Sequence, residues 1–474
     1  MKNIMILLTF MLSFSSLADF RKAEREFNSK RKSNLVIFNE LFKSKYYFSA
    51  VPFAAEHIIE SQKITEDFEE QLEVLLLKTG TNTLAGLPNK DLLKHNSATL
   101  QLVYALKMFR EKRYKNARIV AERISLKNKF APEALYIAGT SRELLNDLSR
   151  AQDRFNKCIK ISEKFMGNAD KEKLKRYYSV INESCVIHNA RILYKQKLYA
   201  KAIEMYNSIP KSSYRWPYTL IEKAWANYYL EDFNRSLGLV VTYKSPLLSS
   251  YFFPEAEVLN ALSYYRLCLY SDTLSTIDQY YKVYKSRSDS LKSVILPNKD
   301  SHDYFIKLAF GSLKETEKIN PYVRNLITQI RKKIKFSVDL VSYKKAKNEL
   351  KYLKKRKQTA FSKKLTRSVE HSIHWRTQQL NHYVKKQMFI FINDIHKYSY
   401  EMFNIKLEVM SKQRDLIYRN KELISNRSRG SLENVNRKID EHFWNFEGSF
   451  WADELGDYSY GLKSNCKTVK VSKR

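Results

Sequence analysis

Small and large apolar residues recur along the middle of the chain at fixed helical offsets. The stretches RYKNARIVAERI, LSRAQDRFNKCI, LYAKAIEMYNSI, DFNRSLGLVVTY and LYSDTLSTIDQY each carry a small residue, Ala117, Ala151, Ala202, Ser236 and Thr273, at successive intervals of 34, 51, 34 and 37 residues. Twelve positions upstream stands a second small residue, Ala105, Gly139, Ala190, Ala224 or Ala261, and three positions upstream a large one, Tyr114, Leu148, Tyr199, Phe233 or Tyr270. This pattern predicts paired helices that approach closely at the small residues, with the large residue wedged at the turn. Pro132, Pro210, Pro217 and Pro254 fall at the expected unit boundaries, where a first helical turn tolerates proline. The excess in the 51-residue interval lies in MGNADKEKLKRYYSV, which reads as a charged insertion or a lengthened helix.

Farther on, Val384, Met388, Phe391, Ile395, Tyr398, Met402, Ile405 and Val409 alternate steps of four and three, the seam of a coiled coil. Phe391 and Tyr398 are bulky for a symmetric dimer, so the expected partner is the preceding helix, folded back across a turn near Gln358 to Ser362. In that helix Val323, Leu326, Ile330, Ile334, Val338, Val341, Leu350 and Leu353 mark an expected dry face.

The 34-residue spacing resembles the tetratricopeptide repeat, a helix, a turn and a second helix, over five units from about Ser97 to Tyr284, with a weaker sixth around Leu35 to Ile59. The resemblance implies an α-solenoid whose first helices line a groove. Transferred to this sequence, the groove positions are Arg191 and Tyr194, Trp225 and Tyr228, and Leu262 and Tyr265. Tyrosine, tryptophan and arginine there suit a peptide-binding surface. The same aromatic spacing also suits packing between helices.

The expected architecture is therefore all-α: a tetratricopeptide-like α-solenoid of helical hairpins, then a long basic antiparallel coiled-coil hairpin and an aromatic C-terminal tail. Its expected segments are an export signal, 1–18; an N-terminal helical region, 19–96; the repeats, 97–284; a linker or crossing, 285–320; the basic hairpin, 321–425; and a cap and tail, 426–474. Only 10 Gly and 9 Pro in 474 residues fit this class better than a turn-rich β fold.

The first 18 residues change the reading of everything charged. MKNIMILLTFMLSFSSLA has a basic Lys2, a short apolar core and small residues Ser16 and Ala18, the pattern of a signal cut after Ala18. The expected location is exported, in the periplasm and at most peripheral to a membrane. Lys and Arg outnumber Asp and Glu 84 to 50, a net charge of +34. For an exported protein this favours anionic lipid, wall polymer or acidic proteins over nucleic acid. The densest run, Arg331 to Lys364, makes Lys351, Lys354, Lys355, Arg356 and Lys357 candidates for contact with an anionic surface, or simply a solvated helix face.

Four cysteines remain, Cys158, Cys185, Cys268 and Cys466. Cys158 and Cys185 lie on neighbouring expected helices and can pair, or sit reduced as small buried residues. Cys268 is expected to be buried beside a turn. The segment HFWNFEGSFWADELGDYSYGLKSNC holds Trp444, Phe446, Phe450 and Trp451, which are costly to leave in water, so it should dock as a cap or serve as a contact site. WNFEGSFWADELGDY, with WPYTLIEKAWANYYLEDFNRSL, resembles secreted tetratricopeptide-type proteins of predatory and gliding bacteria, which implies no particular activity.

Catalytic signals are thin. No GxSxG elbow, glycine-rich phosphate loop, HExxH or CxxC occurs, and His371, His374 and His382 on a helix are a weak metal pattern. No catalytic residue, metal or cofactor is expected. The expected function is an exported, non-enzymatic scaffold for a protein or peptide partner of the cell envelope, with an accessory subunit or enzyme of wall-polymer processing as the alternative.

Overall fold

The computed structural model describes residues 19–249, 251–311, 319–418, 421–423, 441–466 and 469–471. The expected export signal, 1–18, lies outside them, as does most of the stretch between the long hairpin and the tail. The chain is all-α with almost no strand. Residues 19–27 are helical, α1. There follow α2 (Asn34–Lys43), α3 (Tyr47–Glu60), α4 (Glu66–Thr79), α5 (Asn89–Lys94), α6 (Ala98–Arg110), α7 (Tyr114–Ala121), α8 (Ala131–Leu144), α9 (Leu148–Gly167) and α10 (Glu172–Lys195). Next come α11 (Tyr199–Asn207), α12 (Trp216–Tyr229), α13 (Phe233–Val241), α14 (Pro254–Arg266), α15 (Tyr270–Ile295), α16 (Tyr304–Phe310), α17 (Pro321–Lys332), α18 (Ile334–Lys354) and α19 (Ala360–Tyr418).

One turn recurs six times. Among the described residues Lys45, Lys112, Asn146, Lys197, Glu231 and Cys268 are the non-glycine residues at positive φ, and each lies two residues beyond the first helix of a pair. After each, a backbone amide reaches five residues back, as from Tyr46 to Leu41, Arg113 to Met108, Asp147 to Arg142, Leu198 to Leu193, Asp232 to Asn227 and Leu269 to Tyr264. These are Schellman closures, which satisfy carbonyls that a helix end would otherwise leave free. The residue after each amide, Tyr47, Tyr114, Leu148, Tyr199, Phe233 or Tyr270, opens the second helix.

All ten small residues of the sequence pattern are buried. Gly139 shows why size matters: a β-carbon there would lie 2.6 Å from the Phe155 ring of the paired helix. Pro132, Pro217 and Pro254 fall in the first turns of α8, α12 and α14. The long interval is a lengthening of both helices, α9 to 20 residues and α10 to 24. A disulfide between Cys158 and Cys185 ties them.

Residues group into two compact units, Met1–Cys185 with Ile334–Leu380, and Val186–Lys333 with Asn381–Arg474. The first thus ends inside the segment 97–284, and α10 and α19 contribute residues to both. The expected linker is partly helical, because α15 continues to Ile295.

In the first unit, Phe361 at the head of α19 packs on Phe20, Phe27 and Phe53, with ring centroids 5.5, 5.0 and 6.3 Å away. Glu349 of α18 caps α3 from outside, accepting from the amides of Phe48 at 2.9 Å and Ser49 at 2.7 Å and from the Ser49 hydroxyl at 2.7 Å. Its desolvation raises the carboxyl pKa to about 7. The α18–α19 turn is closed by Lys354 and Glu370, 2.8 Å apart.

The expected dry face continuing through α17 and α18 is corrected at Lys333, whose extended backbone separates the two helices. Val323, Leu326 and Ile330 before it are buried, whereas Val338 and Val341 after it are exposed. The break rotates the phase, so Phe336, Tyr343 and Ala346 are buried in place of Val338 and Val341, and Leu353 of the expected face is buried with them.

In the second unit every residue of the α19 seam from Val384 to Val409 is buried. Its observed partners are α14 and α15. Phe391 meets Phe252 at 5.1 Å, and Tyr280 and Tyr281 donate to the carbonyls of Ile395 and Ser399 at 3.0 and 2.7 Å. Tyr398 lies near Glu255 at the start of α14, and Glu408 lies near Tyr265 at its end, so α14 and α19 run in the same direction. The expected partner, α18, belongs to the first unit. The heptad pattern identified a buried stripe, and the last helical pair covers it.

The tail lies against α13. Short strands β2 (Trp444–Asn445) and β3 (Tyr458–Ser459) pair in parallel, and separately β1 (Lys421–Leu423) pairs antiparallel with β4 (Val469–Val471). Asn234 accepts from the Tyr460 amide through its backbone oxygen and brackets Leu462 with its side chain, while the Gly456 amide donates to Thr242. Cys466 is disulfide-bonded to Cys268. The reading of Cys268 as a buried thiol is thereby corrected: it occupies the left-handed turn position, half-buried, and is bonded across 198 residues.

Candidate functional site

The candidate groove residues sit on α10, α12 and α14, held in line by the recurring turn. Tyr194 and Tyr199 are 5.3 Å apart, and Tyr229 lies 5.8 Å from Tyr194 and 5.2 Å from Tyr199, stacked on the latter. Trp225 stacks on Tyr229 at 6.0 Å and meets Tyr228 edge-on at 5.6 Å. Tyr228 continues to Phe233 at 5.4 Å, and the Arg266 guanidinium covers both rings at 5.8 and 5.3 Å. Six aromatic rings form one continuous cluster.

The polar ends of these residues are tied internally. Arg191 forms a bidentate pair with Glu222, at 2.9 and 2.5 Å, and Tyr206 donates to the same carboxylate at 2.8 Å. Trp225 donates its indole N–H to Glu255 at 2.8 Å. Burial raises the phenol pKa values of Tyr194, Tyr206 and Tyr228, in Tyr206 with help from Glu222, so all three stay neutral donors. What remains for contact is ring surface, greatest at Tyr229, which is 50% exposed.

Tyr194, Trp225 and Tyr228 thus come together. Arg191 is committed to Glu222, and Tyr265 lies near Glu408 of α19 and stands 5.8 Å from Tyr270. Tyr229, the most open ring, was not singled out from the sequence. Its signal is the doubled tyrosine of AWANYY, where the second ring follows one position after the expected groove residue.

The basic candidates divide. Lys351, Lys355 and Lys357 are exposed, and Lys354 is ion-paired with Glu370. Arg356 lies 4.0 Å over the Phe20 ring and donates to the Tyr46 hydroxyl at 2.7 Å, so its guanidinium holds α1 and α3 to the α18–α19 turn. His371, His374 and His382 are exposed, and among the described residues no three potential ligands converge on a metal position. No described helix is long and apolar enough to cross a membrane.

Comparison with family models and with curated proteins returns no match.

Proposed function

We propose that the chain is an exported, non-enzymatic scaffold built as a tetratricopeptide-like α-solenoid, which binds a protein or peptide partner of the cell envelope. Support for the solenoid comes from six identical turns and ten buried small residues at repeat spacing. In this reading α19 caps the last repeat, whose exposed apolar face a solenoid must cover.

The observation that carries the binding role is the aromatic cluster around Tyr229, in which Tyr229 is exposed and the other five rings are half-buried behind it. Rigid aromatic rings give large contact area at small entropic cost. Lys351, Lys355 and Lys357 add attraction to an anionic lipid or wall polymer, about 1 kcal/mol each near such a surface.

Isolation of the protein from intact cells after crosslinking, with and without Tyr229→Ala, tests the reading. A partner captured by the native chain and lost from the variant supports it. Equal capture by both removes the cluster from the account.

A further inference from the structure

The tail does more than cover α13. Together with α12 and the end of α11 it encloses a cavity of about 440 Å³, within the usual range for small-ligand sites. Trp216, Phe443 and Trp444 supply apolar walls, and Lys211, Lys223, Glu441 and Asp457 supply the charges.

The charges are not equivalent. Asp457 is paired with Lys211 at 2.7 Å, and Glu441 faces Arg235 at 3.5 Å. The Lys223 ammonium has no carboxylate within ion-pair distance among the described residues. Its surroundings desolvate it and hold its pKa below the ordinary lysine value, although Asp457 and Glu441 are near enough to offset part of the effect. A lysine kept at such a cost on a cavity wall is positioned for an anion.

Stoichiometry of charge narrows the anion. One uncommitted ammonium balances one negative charge, whereas a phosphate dianion calls for a second cation and Lys211 and Arg235 are already paired with Asp457 and Glu441. A carboxylate has about four acceptor positions, so Asp457, paired with Lys211, can also accept from hydroxyl groups. Aromatic faces beside such acceptors suit a ring with an apolar face and a hydroxylated rim.

We propose that this cavity binds a carboxylate-bearing sugar, with the carboxylate on Lys223, hydroxyls on Asp457, and a ring face against the tryptophans. The site is independent of the aromatic cluster around Tyr229.

Isothermal titration of the disulfide-intact protein with glucuronic acid and N-acetylmuramic acid tests the proposal, with glucose, N-acetylglucosamine and benzoate as comparators. At least one acidic sugar should bind saturably and at least tenfold more tightly than its neutral counterpart and than benzoate. Lys223→Met should abolish that preference and melt no lower than the native chain, because it removes a desolvated charge. The proposal is overturned if no acidic sugar binds, if neutral sugars or benzoate bind as tightly, or if Lys223→Met keeps the preference. The native-chain comparisons decide the matter even where the variant folds poorly.

Discussion

Gly238 of α13 lies flush against the backbone of Tyr458, so that a β-carbon there would overlap the Tyr458 carbonyl. The tail is therefore seated on a helix face that only glycine leaves open. Gly238→Ala should lower stability by about 1–3 kcal/mol, as overpacking does. It should also speed hydrogen exchange at Gly456, Tyr460 and Leu462, whose amides bond to α13 or the 3-10 turn after it. Unchanged exchange at these amides would show that the tail is seated by something else.

The Cys268–Cys466 bond holds that tail covalently. Closing 198 residues can stabilise by up to about 5 kcal/mol on a chain-entropy basis. Cys466→Ser should lower the melting temperature in non-reducing buffer and make the remaining difference between reduced and oxidised protein smaller. Protein recovered from its native compartment should show no reactive thiol before denaturation or after it. Four titratable thiols in denatured, unreduced protein would contradict both disulfides and count against the proposed exported location.

The recurring turn makes a separate prediction. Lys197 holds φ at 62°, a region in which a side chain costs about 1 kcal/mol relative to glycine. Lys197→Gly should therefore stabilise the second unit by about that amount in urea unfolding, with the m-value unchanged. Destabilisation would mean that the lysine side chain makes a contact outweighing the strain.

Much of this fold could be read in advance, and the exceptions have physical causes. Ala105, Gly139 and Ala190 marked close helix approach because small size at fixed spacing has one structural use. The turns between helices were invisible in detail, since Lys112, Lys197 and Glu231 are not turn-forming residues and hold left-handed geometry through the closures around them. The break at Lys333 carries no Pro or Gly, so Val338 and Val341 were assigned to a face that the structure turns outward. A heptad reports a buried stripe and not its partner, which is why the α19 seam was legible and α14 and α15 were not. Of the candidate site, Tyr194, Trp225 and Tyr228 were placed by the repeat resemblance, and the structure brings the three together. The carboxylate that Arg191 pairs with, Glu222, was not legible because it lies 31 residues away.

Glu349 provides a pH test. Its folded pKa, raised to about 7, exceeds the ordinary glutamate value, so its contribution is greatest below that ordinary value and is lost as pH rises through 7. A shift of this size corresponds to roughly 3 kcal/mol between the two protonation states. Glu349→Gln keeps an acceptor for the Phe48 and Ser49 amides and removes the titration. The variant should show a smaller loss of stability than the native chain between pH 5 and pH 8. Parallel pH profiles for the two proteins would contradict the burial of this carboxyl.

The scaffold reading rests most directly on the ring of Tyr229. A photo-crosslinking amino acid placed at position 229, compared with the same group at exposed Tyr400, should be activated in intact cells and its adducts identified by mass spectrometry. The account predicts one recurrent protein adduct at 229, absent at 400 and reduced when Trp225 is replaced by alanine. No protein adduct at 229, or the same adducts at both positions, would contradict it.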